Sequence, residues 1–111
     1  MKKRIIVIGS GLAGMASAAY LAKEGHTVKV LEKNETYGGR LQTYKEKGFT
    51  FDLGPSWYWM PDLFESFFSD FGKKPSDYYT LTRLDPGYRV YFEDEEFFDV
   101  PENYEKLKAN L

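Results

Sequence analysis

The sequence has 111 residues, enough for one small domain, and a formal charge of −2 at pH 7, so no strong pull toward nucleic acid or an anionic membrane is implied. It contains no cysteine, which excludes disulfides and thiolate chemistry and is compatible with the cytosol. Lys2, Lys3 and Arg4 precede an apolar run, but that run ends at Gly9, far short of a signal-peptide core or the roughly 20 apolar residues of a membrane span. The basic start reads as a solvated strand edge.

The first predicted element is a strand, Ile5 to Ile8, within the stretch Arg4 to Gly14. Ile5, Ile6, Val7 and Ile8 form an unbroken β-branched run, the pattern of a parallel strand buried on both faces. It leads into Gly9, Gly11 and Gly14, spaced G-x-G-x-x-G. In such a turn the first glycine permits the tight bend. The second lets a pyrophosphate approach the backbone, and the third lets the next helix lie close to the sheet. The plain alternative is a βαβ unit whose glycines serve only as turns. A helix is predicted over Leu12 to Lys23, with small residues at Gly14 and Ala18, its N-terminus aimed at the phosphates and Gly25 as its C-terminal cap. Thr27 to Leu31 is a second strand. Glu32 stands at its end, roughly twenty residues past the glycines, where a carboxylate can accept from a ribose hydroxyl. His26, the only histidine, sits in the helix-to-strand turn and reads as a surface residue.

A polar loop, Asn34 to Tyr37, then gives Gly38-Gly39-Arg40, and the arginine can fork onto phosphate oxygens. An NAD-type unit passes from its second strand into another helix. Here strand-like sequence follows instead, Leu41 to Tyr44 and Phe49 to Leu53 around a turn at Glu46 to Gly48, which favours FAD. Aromatic residues make up 18% of the chain and lie almost entirely after residue 48, and this shift is the best boundary signal. It suggests a nucleotide-binding part over 1–55 and an aromatic-rich part over 56–111.

Pro61 to Phe71 is predicted as a helix ended by Gly72, with Phe64, Phe67, Phe68 and Phe71 on one face. The bland reading of that stripe is packing. The sharper one is that, with Trp57, Tyr58, Trp59 and Met60, it lines a channel for a long polyene. Tyr78 to Arg83, Tyr88 to Glu93 and Phe97 to Val100 read as strands, with turns at Asp85-Pro86-Gly87 and Asp94-Glu95. Alternation of Tyr88, Val90 and Phe92 with Arg89, Tyr91 and Glu93 suggests one buried face. The acidic run Glu93 to Glu96 reads as a solvated hairpin tip rather than a metal site, because consecutive strand residues point to opposite faces. A last helix is expected from Pro101 to Leu111.

The G-x-G-x-x-G, Glu32 and the trailing G-G-R resemble the FAD-binding start of the amine oxidase and phytoene desaturase superfamily. The segments GFTFDLGPSWYWMPDLF, Gly48 to Phe64, and DYYTLTRLDPGYRVYF, Asp77 to Phe92, are similar to the phytoene desaturase branch. The resemblance covers nearly the whole chain. It implies an α/β fold: the N-terminal part of an FAD-binding Rossmann-like domain of the GR2 type, followed by the start of an α+β substrate domain. By position it implies that Gly9, Gly11 and Gly14, with the backbone of Leu12 and Ala13, hold the pyrophosphate. Glu32 would take the adenosine ribose, with Lys33 beside the adenine end. Gly39, Arg40 and Leu41 would line the phosphate and ribityl path, and Gly54-Pro55 would approach the flavin ring.

The activity so implied is FAD-dependent desaturation of a carotenoid precursor, phytoene first, the flavin accepting a hydride from an allylic carbon. No residue stands out as a catalytic proton acceptor, and no metal is expected. The implied partners are a hydrophobic polyene, the remainder of a longer chain and a membrane surface touched peripherally. The expected location is cytoplasmic, at the membrane's inner face. The isolated 111 residues are expected to bind FAD weakly and not to turn over. The rivals are another flavoenzyme of the superfamily (an amine or protoporphyrinogen oxidase, a carotenoid ketolase or isomerase) and a non-catalytic nucleotide-binding module.

Overall fold

A computed structural model describes residues 1–55, 57–94 and 96–109, and the chain divides into two units, Met1–Trp59 and Met60–Leu111. In the first unit, β1 (Arg4–Ile8), α1 (Leu12–Lys23) and β2 (Thr27–Leu31) make one βαβ crossover. The strands pair in parallel from Arg4 opposite Thr27 to Ile8 opposite Leu31. The end of α1 is fixed by Gly25, at φ +84°: its N–H donates to the Ala22 carbonyl and the His26 N–H to that of Leu21, the paired bonds of a Schellman cap. Gly14, Ala18 and Leu21 form the partly covered stripe of the helix, one turn apart.

The sequence pattern put β1 inside a sheet covered on both faces, and the structure corrects this. Ile5 and Val7 are half-covered, while Ile6 and Ile8 stay 62% and 88% exposed. The reason is geometric: alternate residues of a strand face opposite ways, α1 lies on one side, and among the described residues nothing covers the other. His26 is half-buried, its Nδ1 accepting from the Lys3 N–H at 3.4 Å.

The hairpin of β3 (Thr43–Glu46) and β4 (Phe49–Asp52) completes the unit, with Lys47 and Gly48 both at positive φ, the turn whose twist matches a two-residue hairpin. It begins two residues later than the pattern suggested. Leu41 is held in a turn by its N–H bond to the Gly38 carbonyl, 3.0 Å, and cannot join the ladder.

In the second unit, α2 (Pro61–Asp70) ends as α1 does: Gly72, at φ +66°, donates to Ser69 and Lys73 to Phe68. Its Phe64, Phe67, Phe68 and Phe71 are the half-buried positions. A 3-10 turn, Pro75–Asp77, returns the chain so that Tyr78 packs on Phe68 with ring centres 5.0 Å apart. This stripe therefore packs within its own unit. Tyr78 to Arg83 is not a strand, contrary to its composition: Tyr78 belongs to that turn, and the residues after it pair with no other strand among the described residues.

β5 (Tyr88–Tyr91) and β6 (Phe97–Val100) form an antiparallel hairpin, with Arg89 forked onto Asp99 at 2.6 and 2.8 Å and its guanidinium 3.9 Å from the centre of the Phe97 ring. The buried face expected of β5 is absent: all four of its residues are exposed, and only Phe98, Asp99 and Val100 of β6 are partly covered. Glu93, Asp94 and Glu96 are exposed, and Glu95, with its expected turn, lies outside the described residues. α3 (Tyr104–Ala109) starts later than Pro101 because Asn103 caps it, its Oδ1 accepting from the Glu105 and Lys106 N–H groups. The expected continuation to Asn110 and Leu111 lies outside the described residues.

Candidate functional site

The site forms where three backbones cross in the first unit. Gly9 leaves β1 at φ +95°, and its N–H donates to the Leu31 carbonyl, which fixes the turn to the end of β2. Gly11 is the N-cap of α1. No side chain caps that end and no acid sits in its first turn, and the first backbone bond inside the helix is from Met15 to Gly11. The N–H groups of Leu12, Ala13 and Gly14 are therefore the orphan donors of a helix N-terminus, where the dipole favours an anion.

The Gly38-Gly39-Arg40 loop crosses this turn. Gly38 donates to the Ser10 carbonyl at 3.0 Å and bridges in parallel with Gly11. A Cβ on Gly39 would stand 3.0 Å from the Gly11 Cα, and one on Gly54 would overlap the Arg40 carbonyl. Glycines thus permit two backbone contacts that any side chain would prise apart. Together these segments line a cavity of about 1100 Å³. Gly9, Gly11, Leu12, Ala13, Gly14, Gly39, Arg40, Leu41, Gly54 and Pro55 line it, with Ile8, Gly38, Gln42 and Leu53. Ten of the twelve residues proposed from sequence are brought together.

The other two are Glu32 and Lys33. Glu32 does not line the cavity; it sits behind the turn, bonded to Ser10. Its Oε2 accepts from the Ser10 N–H at 2.8 Å and the Ser10 hydroxyl at 2.7 Å, and its Oε1 accepts from the Asn34 N–H at 3.0 Å. These bonds, the Ser10 N–H first, pull the carboxyl from 4.5 down to about 2, so it is ionised at neutral pH. Lys33 is exposed beside it and does not line the cavity. Sequence reasoning missed Ser10, the only buried polar side chain among the described residues, 6% exposed. Its signal was faint: a small hydroxyl residue between two glycines that needed none. Among the described residues no cluster of His, Cys, Asp and Glu could hold a metal, and no helix is long and apolar enough to cross a membrane.

The first unit thus contains a Rossmann-like strand-turn-helix, and residues 7–71 match the NAD(P)-binding Rossmann-like domain family. The chain belongs to that family. Over 86% of its length it is 54% identical to a carotenoid 3,4-desaturase of Haloarcula japonica, of which it covers 19%. It is 42% identical to a 4,4'-diapolycopene oxygenase of Methylomonas, over 98% of this chain and 22% of that protein. It is equally similar to a 4,4'-diapophytoene desaturase of Staphylococcus aureus, over 97% of this chain and 22% of that one. The chain therefore spans about a fifth of the length of the curated relatives it matches.

Proposed function

We propose that this Rossmann-like domain seats FAD, and that the protein it serves desaturates a carotenoid precursor, phytoene or a close analogue. The observation that carries the reading is the convergence of the glycine turn, the Gly-Gly-Arg loop and Gly54-Pro55 on one cavity beside an uncapped helix N-terminus. A dinucleotide fits those residues: no side chain fills the crossing, orphan N–H groups await an anion, and Arg40 offers a fork for phosphate. In this reading Gly9, Gly11, Leu12, Ala13 and Gly14 hold the diphosphate and Glu32 accepts from the adenosine ribose. Lys33 lies at the adenine end, Gly39, Arg40 and Leu41 follow the ribityl chain, and Gly54 and Pro55 approach the ring. FAD is favoured over NAD because β2 leads into a loop closed on Gly11, not into a second crossover helix.

The bound cofactor would supply the hydride acceptance that makes a double bond. These residues bind and orient it, and none is assigned a proton. The second unit opens the substrate-binding part, and further chain, in keeping with relatives about five times as long, covers the bare face of β1. A hydrocarbon substrate puts the protein at the membrane surface, on the cytoplasmic side. The desaturase of Haloarcula japonica supports desaturation. The oxygenase of Methylomonas supports a second reading, oxygenation of a polyene.

The test is the purified full-length enzyme with phytoene or 4,4'-diapophytoene in micelles. A flavin spectrum and a product absorbing at longer wavelength, with hydrogen lost, are expected. A product heavier by oxygen selects the second reading. Gly11→Val should lose the flavin, and unchanged flavin content would overturn the diphosphate cradle.

A further inference from the structure

We propose that Ser10 is a positioning residue of the dinucleotide site, holding Glu32 by Oε2 so that Oε1 is the oxygen offered to a ribose hydroxyl. The inference rests on the reading of Glu32 as the ribose ligand. A carboxylate has roughly four acceptor positions. The two Ser10 bonds occupy Oε2, the Asn34 N–H takes one position on Oε1, and the Lys33 N–H also acts on the carboxyl.

Ser10 is suited to this because its three polar groups go to two different segments. Its N–H and hydroxyl hold Glu32 at the end of β2, and its carbonyl accepts from Gly38 in the crossing loop. The terminal torsion of a glutamate is broad; the Ser10 N–H on Oε2 and the Asn34 N–H on Oε1 set the carboxylate's plane, and the Ser10 hydroxyl adds a second bond on Oε2 that holds it there. Ser10 is buried, which shields its hydroxyl from competing water, and the carboxylate's depressed titration agrees with that arrangement. Removing the hydroxyl should loosen the ligand's grip while leaving the backbone bonds that shape the turn.

The experiment compares Ser10→Ala, Ser10→Thr and Glu32→Gln in the purified holoprotein, following FAD affinity by flavin fluorescence as pH falls from neutral through the carboxylate range. Ser10→Ala should weaken FAD about tenfold at neutral pH and move the acidic limb of the affinity profile upward, because Glu32 then protonates more readily. Ser10→Thr, which keeps the hydroxyl, should restore both. If Glu32→Gln weakens FAD while Ser10→Ala matches the parent in affinity and acidic limb, the positioning role is refuted and the ribose reading stands. If Glu32→Gln itself leaves affinity unchanged, the ribose reading falls, and this inference with it. Should Ser10→Ala not fold, Ser10→Cys, similar in shape and a weaker donor, carries the same comparison: an unshifted acidic limb refutes the role.

Discussion

At Gly14 one methyl group decides whether β1 and α1 can meet. A Cβ there would overlap the Gly9 carbonyl and come within 3.6 Å of the Val7 side chain, so the helix would have to lift off the strand. Gly11 differs: its φ is −68° and an added Cβ would make ordinary contact, 3.9 Å from the Gly39 Cα. The two glycines of one motif therefore differ in what they do for the fold. Gly14→Ala should destabilise by about 1–3 kcal/mol in urea unfolding, and Gly11→Ala by under about 1 kcal/mol, the preference of an N-cap for glycine over alanine. The reverse order would contradict the packing described. The packing role of Gly14 was legible in the sequence because it depends on spacing alone. The role of Ser10 was not, because its partner lies 22 residues away and only the paired strands bring the two together.

Elements were legible to the degree that their causes are local. The bounds of β1, α1 and β2 follow from a β-branched run, an alanine-rich stretch and a closing glycine, all adjacent in sequence. Tyr78 to Arg83 has strand composition yet forms none, since a strand also needs a partner that composition cannot name. The β5–β6 hairpin has its partner, and its directly opposed Arg89 and Asp99 should hold the register. The Arg89 bonds lower the Asp99 carboxyl below its ordinary 3.8, and the same bonds raise the guanidinium. A carboxyl depressed by folding stabilises above its unfolded value, and that support drains away as pH falls through the lowered one. Asp99→Asn should therefore speed hydrogen exchange of the Gly87 amide, which donates to Val100, at neutral pH. The difference from the parent should close once the pH drops well below 3.8. A difference that persists there would mean the pair is not its source. Arg89→Ala should exceed Asp99→Asn, because it also removes the contact on Phe97.

For the whole molecule the decisive quantity is surface. The chain exposes 9947 Å². No hydrophobic residue is buried among those described, and Ile6, Ile8, Val30 and Leu31 show apolar surface from the strands of the one parallel sheet. Each unit is held by backbone ladders, glycine caps and partial aromatic packing. Apolar burial is the main favourable contribution to cooperative folding, at about 25 cal/mol for each Å² removed from water, and here most of it is missing. The slope of free energy against urea follows the area newly exposed on unfolding, and a chain already so exposed has little to add. The 111-residue polypeptide on its own should therefore bind a hydrophobic dye and unfold over a broad urea range, with a slope under about 1 kcal/mol/M. Its α1 circular dichroism should fade gradually, since helix capping is local and outlasts lost packing only in part. A sharp transition without dye binding would require the bare face of β1 to be covered in solution, by a second copy if the midpoint rises with protein concentration.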